Sequence, residues 1–457
     1  MTIETVLANT KPLQHPRGGR LPLYVWAVVG VGTEDDREAR TRLRQLDERG
    51  IGVISAWDHH DRERSLAQGL RVAALQQELG LAVNVNANRL LQRFCNGDPR
   101  TAHVTDAGQA FFDRSFAQDV AMGCPFALRF RYSEIRDRVA SFARAYAEAG
   151  CTIDFVFADW EIDGAIEWNG AWESARRCSR CRANVPDLDD FSSFQRAVRQ
   201  VRSEMQRETF TRPIQAYFPD ARIGNYAVYP HDGYRYWYDY FETFVEGAPH
   251  KVDQRARYRQ WAHEFPLTGY TCAMPVVYTW YPTFHWYDFE SPDYRWFYNM
   301  LLVASNAGRH PPPEIPVVSF VHWHTTSPPP DPDPRLAQFS ARAYQELLWH
   351  MLLRGTDTFF LWSPRKELAQ EVRLVQEVYA ESLRFRAFLD QGQPVTFDVP
   401  QTEGPVLSAL RLGDRLLVRR TDFASHPRPV SLQVGERSID VPRLEGACQI
   451  LAAVTSG

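Results

Sequence analysis

Apolar runs of four to eight residues alternate with longer stretches of helical spacing over most of this chain. Such runs read as buried strands, and the stretches between them as the helices that cover a parallel sheet. Residues 21–30 (L-P-L-Y-V-W-A-V-V-G) predict a first strand, and 50–57 and 81–86 a second and third. The fourth is the run from 153 that ends in Asp159-Trp160-Glu161-Ile162-Asp163. Either 214–218 or 222–229 supplies a fifth, and 271–280, 316–323 and 356–362 complete eight. Helical spacing fills the gaps at 35–49, 66–79, 107–121, 134–149, 191–208, 234–245, 255–264, 294–307, 336–354 and 367–389. Eight strand–helix alternations predict a (β/α)8 TIM barrel over residues 1–392. From 393 the texture changes to short alternating runs broken by Gly, Pro and Asp, at 407–412, 416–420 and 430–434. That pattern predicts a small antiparallel, β-sandwich-like domain over 393–457, packed against the barrel.

No G-x-G-x-x-G or G-x-x-x-x-G-K-S/T opens any predicted helix, which removes the usual nucleotide-binding argument for a doubly wound sheet. The 52 Lys and Arg nearly balance 56 Asp and Glu. That balance argues against a nucleic-acid or anionic-membrane partner and leaves a small or neutral ligand. No run reaches the roughly 18 apolar residues of a membrane span, and the N-terminus lacks the pattern of a signal peptide. The seven cysteines form no regular framework, so reduced thiols and a cytoplasmic setting are expected. Cys178-Ser179-Arg180-Cys181 is a single C-x-x-C, and a four-ligand zinc site needs two more donors from elsewhere, so neither metal nor cofactor is assigned.

In a barrel of this kind reactive groups gather at the C-terminal ends of the strands. The second predicted strand ends in Trp57-Asp58-His59-His60, the fifth reaches Asn225-Tyr226 and Tyr229, and the sixth brings Tyr278-Thr279-Trp280. The seventh ends in His322-Trp323-His324 and the eighth in Trp362-Ser363. Acids, amides and rings converging on one mouth suit a polar, ring-shaped ligand, which points to carbohydrate. Strand alternation puts Asp159, Glu161 and Asp163 on one face, where like charges repel, an arrangement with more use in catalysis than in stability. Glycoside cleavage needs an acid for the leaving oxygen and a group that stabilises or traps the cationic carbon. With no carboxylate on the seventh strand end, the pair Asp159 and Glu161 fits substrate assistance: Glu161 is the acid/base, and Asp159 supports the substrate's acetamido oxygen as nucleophile. Asp163 is a third candidate. The candidate sugar contacts are Asp58, Asn225, Tyr226, Tyr229, Tyr278, Trp280, His322, Trp323 and Trp362. Two other readings stay open: a direct nucleophile from Asp232, Asp288 or Glu290, and a catalytically silent sugar-binding barrel.

The order of motifs resembles the hyaluronidase family: D-x-E at 159–161, G-x-Y-x-x-Y-P at 224–230, an aromatic sixth strand at 274–280 and F-L-W-S at 360–363. By that resemblance Glu161 is the acid/base, Asp159 positions the acetamido group, Tyr229 and Tyr278 hold it, and Trp362 forms a pocket wall. The family's W-R-P after D-x-E, its disulfides and its secretion signal have no counterpart here. Chitinase-like barrels also end their fourth strand in D-x-E, but their fuller D-x-x-D-x-D-x-E is only partly met.

Overall fold

A computed structural model describes residues 2–91, 96–160, 171–233, 264–278, 286–324, 337–424 and 426–453. Eight parallel strands form one sheet: β1 (Leu23–Val29), β2 (Ile51–Ala56), β3 (Asn84–Asn86), β6 (Phe155–Ala158), β7 (Arg222–Asn225), β8 (Val276–Val277), β9 (Val318–Val321) and β10 (Thr358–Leu361). Their order is β7-β6-β3-β2-β1-β10-β9-β8. The two ends meet, because Thr271 donates to the Ile223 carbonyl at 3.0 Å and Met274 to that of Val228 at 3.1 Å. The sheet is therefore a closed barrel, as the eightfold alternation predicts.

Closure depends on Gly224. A Cβ there would stand 2.5 Å from Met274 Sδ and 3.1 Å from the Cys272 carbonyl, so a side chain requires Met274 to move and the Cys272 backbone to give by a few tenths of an ångström. Gly224→Ala is expected to lower stability by about 1–3 kcal/mol, seen as a lower thermal midpoint; an unchanged midpoint contradicts this account of closure.

Aromatic rings fill the barrel where branched aliphatics are more usual. Tyr24 stacks on Phe155 at 4.8 Å between centroids, Phe320 on Phe360 at 4.6 Å, and Trp26 lies 5.7 Å from Phe157. Period-two alternation explains the arrangement: Phe155 and Phe157 of β6 face the axis, while Val156 and Ala158 join the outer layer beneath the helices.

Two elements depart from expectation. The helix predicted over 107–121 is absent; residues 103–104 (β4, His103–Val104) pair instead with β5 (Ala110–Phe111) in a short hairpin. Gly108, at φ 76°, turns the chain there, and Thr105 donates back to the Gln109 carbonyl at 2.9 Å. The N-terminus forms a helix, Thr2–Asn9, which packs against the helix Leu368–Ser382. The helices predicted at 234–245 and 255–264 lie outside the described residues.

At the C-terminus, β11 (Gln393–Pro394), β12 (Val406–Leu412), β13 (Arg415–Thr421) and β16 (Cys448–Ala452) form a four-stranded antiparallel sheet, with a separate hairpin of β14 (Val430–Val434) and β15 (Arg437–Val441). Buried polar contacts join the sheet to the barrel helices. Arg419 meets Glu346 at 2.6 Å, and Arg354 donates to Ser408 Oγ at 2.6 Å and the Leu407 carbonyl at 2.8 Å. Among the described residues no helix is long and apolar enough to cross a membrane.

Candidate active site

The mouth is built outward from the strand ends. Asp159 directly follows β6 and continues the inward series Phe155, Phe157. Its Oδ1 is out of contact with solvent, and burial raises its pKa from the ordinary 3.8 to about 6. Withdrawing a carboxylate from water disfavours the charged form.

The next peptide is held rigidly. Asn225, at the end of β7 and fully buried, accepts from Trp160 N–H at 2.8 Å and donates to the Trp160 carbonyl at 3.2 Å. Both ends of its amide are thus engaged with the residue between Asp159 and Glu161. Asn225, expected as a sugar contact, instead fixes the backbone of the D-x-E motif.

A turn follows that separates the two tyrosines of the G-x-Y-x-x-Y motif. Val228 donates to the Asn225 carbonyl at 3.0 Å, and Ala227 takes a left-handed φ of 58°, an uncommon and strained conformation for a residue with a Cβ. Tyr226 then faces the barrel, its ring 5.0 Å from Phe320 and its hydroxyl 2.5 Å from that of Tyr278. Tyr229 lies buried among the outer-layer residues, beside His231. Tyr226 is thus the hydroxyl partner of Tyr278, while Tyr229, which the resemblance implies as holding the acetamido group together with Tyr278, lies in the outer layer.

Around this pair the other expected residues assemble. Tyr278 stacks on Trp362 at 5.7 Å with 16° between the planes, and His322 stands edge-on to both rings, 5.9 Å from Tyr278 and 4.9 Å from Trp362. Trp362, Trp26 and Arg89 help line a cleft of about 780 Å³. An adjoining cavity that shares Arg89 contains Asp58. Burial alone would raise the Asp58 pKa, but hydrogen bonds from Arg89 and from His60 N–H, the latter at 3.0 Å, hold it below the usual range.

Trp323 faces the other way. Its neighbour His322 continues the inward parity of Phe320, whereas the Trp323 indole donates to the Phe339 carbonyl at 3.1 Å inside the packed layer. Trp323 is thus a packing residue instead of the expected sugar contact. Glu161, Asp163 and Trp280 lie outside the described residues.

Sequence reasoning missed Glu371. This fully buried acid on the helix Leu368–Ser382 accepts from His322 Nδ1 at 2.8 Å, from Trp323 N–H at 3.3 Å, and from both His324 N–H (3.1 Å) and His324 Nδ1. The signal was an acid set in the buried stripe of Leu368, Val372 and Val375. His322, His324, Glu367 and Glu371 could geometrically surround an ion. Two backbone N–H donors aimed at one Glu371 oxygen suit an anion-accepting knot better than a cation site. Trp26 and Arg89 were likewise unforeseen at the mouth.

No protein-family model matches the chain, and no curated protein matches it in sequence. Comparison with solved structures finds distant neighbours at low similarity. A GH36 alpha-galactosidase, AgaA from Geobacillus stearothermophilus, is 11% identical with a TM-score of 0.44; the alignment covers 96% of this chain and 56% of that one. The chain therefore spans little more than half the length of that enzyme. An Anoxybacillus alpha-amylase is 10% identical with a TM-score of 0.45, covering 95% and 98% of the two chains. A family 30 xylanase, Xyn30A from Clostridium acetobutylicum, is 11% identical with a TM-score of 0.37, covering 93% and 86%. At these scores the barrel assignment rests on the strand pairing itself, and the hyaluronidase family is not among these neighbours.

Proposed function

We propose that the chain is a glycoside hydrolase that cleaves an oligo- or polysaccharide at an N-acetylhexosamine with retention, Glu161 serving as acid/base and Asp159 as the partner of the acetamido group. The observation that carries this reading is the desolvated Asp159 carboxyl at the inward end of β6, two residues before Glu161 and in the same mouth as the aromatic cluster. Glu161 gives its proton to the glycosidic oxygen as that bond breaks, while the acetamido oxygen attacks the anomeric carbon. Ionised Asp159 accepts the acetamido N–H and so stabilises the cyclic cation that forms. Glu161, now a carboxylate, takes a proton from the water that opens the ring. Tyr226, Tyr278 and Trp362 supply hydroxyls and a flat apolar face for the sugar, with Asp58 and His322 at the periphery. Asp163 is proposed as an auxiliary acid beyond Glu161, and Trp280 as a further wall.

Two of the three rival direct nucleophiles are weaker candidates. Asp232 is held by the Asn306 amide and Asp288 by Arg295, so both carboxylates already have partners. Comparing aryl N-acetylhexosaminides with the matching plain hexosides tests the proposal: only the former should be cleaved, and equal cleavage of both would require a protein nucleophile.

Asp159 also makes a pH prediction. Its work requires the carboxylate, so the acidic limb of kcat/KM should fall near pH 6 and disappear in Asp159→Asn. For stability the sign is opposite. A carboxyl whose folded pKa lies above the unfolded value destabilises the fold progressively as pH rises from about 3.8 to about 6. Asp159→Asn should therefore be the more stable protein above pH 6, by at most about 3 kcal/mol, with the advantage gone near pH 4. Parallel stability curves for the two proteins across that range would contradict the shifted pKa.

A further inference from the structure

The C-x-x-C left without partners in the sequence acquires two in the fold. His103, Cys124, Cys178 and Cys181 are all buried, and one donor atom from each lies within 4.8 Å of the others. Cys124 Sγ is 3.5 Å from Cys181 Sγ and 4.0 Å from Cys178 Sγ, and Cys181 Sγ is 3.9 Å from His103 Nδ1. Zinc–sulfur bonds of ~2.3 Å in a tetrahedron put sulfurs roughly 3.8 Å apart, which these separations bracket. A disulfide would use two of the four donors and leave a thiol and an imidazole buried beside it.

We propose that these four residues bind one zinc ion as a closed Cys3His structural site. Four protein donors complete the tetrahedron and leave no open position, and three thiolates with one imidazole favour zinc over the harder divalent cations.

The scaffold brings the donors together through contacts of its own. Cys124 N–H donates to the Thr101 carbonyl at 2.7 Å, an approach that requires the preceding residue to be glycine, since a Cβ on Gly123 would lie 2.3 Å from Thr101 Oγ1. Ser179 Oγ donates to the Val104 carbonyl at 3.0 Å and Arg180 to that of Ala102 at 3.2 Å, bracketing His103. The Phe111 ring lies 5.1 Å from the imidazole and 19° from parallel, which fixes its plane. His103 and Cys124 belong to the excursion after β3, and Cys178 and Cys181 to the excursion after β6. The ion therefore clasps together two neighbouring loops of the barrel rim, one of which begins with Asp159.

Elemental analysis of the full-length protein, produced in zinc-supplemented medium, should find close to one zinc per chain. The cobalt-substituted protein should show thiolate-to-metal charge-transfer bands and the strong d–d absorption of a tetrahedral site. Cys124→Ser combined with Cys178→Ser should lose the ion. His103→Cys should retain it with a more intense charge-transfer band, and His324→Ala should leave it in place. A metal-free, reduced wild-type protein that binds cobalt without a thiolate band overturns the assignment. So does a Cys124–Cys181 disulfide found by mass mapping, or an ion that survives the double serine variant. Should that variant fail to fold, the wild-type cobalt spectrum decides alone.

Discussion

Glu161→Gln is expected to lower kcat/KM roughly 10²–10⁴-fold on substrates with a poor leaving group, the range that a positioned general acid supplies. The loss should shrink sharply on aryl glycosides whose phenol departs without protonation, because the first step then needs no acid. The amide keeps the size and polarity of the side chain, so binding of oligosaccharide should persist. Trp160, the residue before it in the chain, has both its backbone N–H and its carbonyl bonded to Asn225, and the strand beneath is anchored between β3 and β7. Full turnover in the variant on every leaving group would remove Glu161 from the chemistry.

Glu371→Ala is expected to cost about 3–5 kcal/mol of stability, the range for removing one partner from a buried, hydrogen-bonded charge. Four donors, two imidazoles and two backbone N–H groups, would lose their acceptor in a layer closed to water. The thermal midpoint should fall by several degrees, and kcat/KM should fall as well, because His322 would lose the contact that orients it against Tyr278 and Trp362. Burial pushes the Glu371 carboxyl up in pKa, but the hydrogen bonds from His322 and His324 outweigh it and leave the carboxyl below its usual range. Its contribution is therefore present above the ordinary carboxylate pKa and is lost as pH falls through the lower folded value. Glu371→Gln keeps one acceptor oxygen and should lie between the two. A midpoint unchanged in Glu371→Ala would show that the knot at the end of β9 is not needed for the fold.

The strand–helix rhythm of the barrel is legible in the sequence because a strand buried on both faces is a near-continuous apolar run; β1 and β6 are unbroken, and β2, β9 and β10 each admit one hydroxyl residue, Ser55, Ser319 and Thr358. What strand-end position leaves open is which face a residue takes. His322 and Trp323 are adjacent, yet one reaches the mouth and the other the outer layer. Parity counted from Phe320 separates them. Parity also separates Tyr226 from Tyr229, three residues apart, although the turn between them, with left-handed Ala227, is one that nothing in an alanine announces. The excursion at 107–121 has apolar residues at helical spacing, but its backbone pairs with β4, a contact set by chain folding instead of local preference. Glu371 and the partners of the C-x-x-C come from segments remote in sequence, so their roles appear only when the chain is folded.

The most direct measurement of the central claim is hydrolysis by the wild-type protein of a panel of glycans with and without N-acetylhexosamine, with products resolved by anomer. The account predicts cleavage confined to glycans containing N-acetylhexosamine, with the first-formed product keeping the anomeric configuration of the substrate. Oligosaccharide binding without cleavage of any member, or release of the inverted anomer, would contradict it.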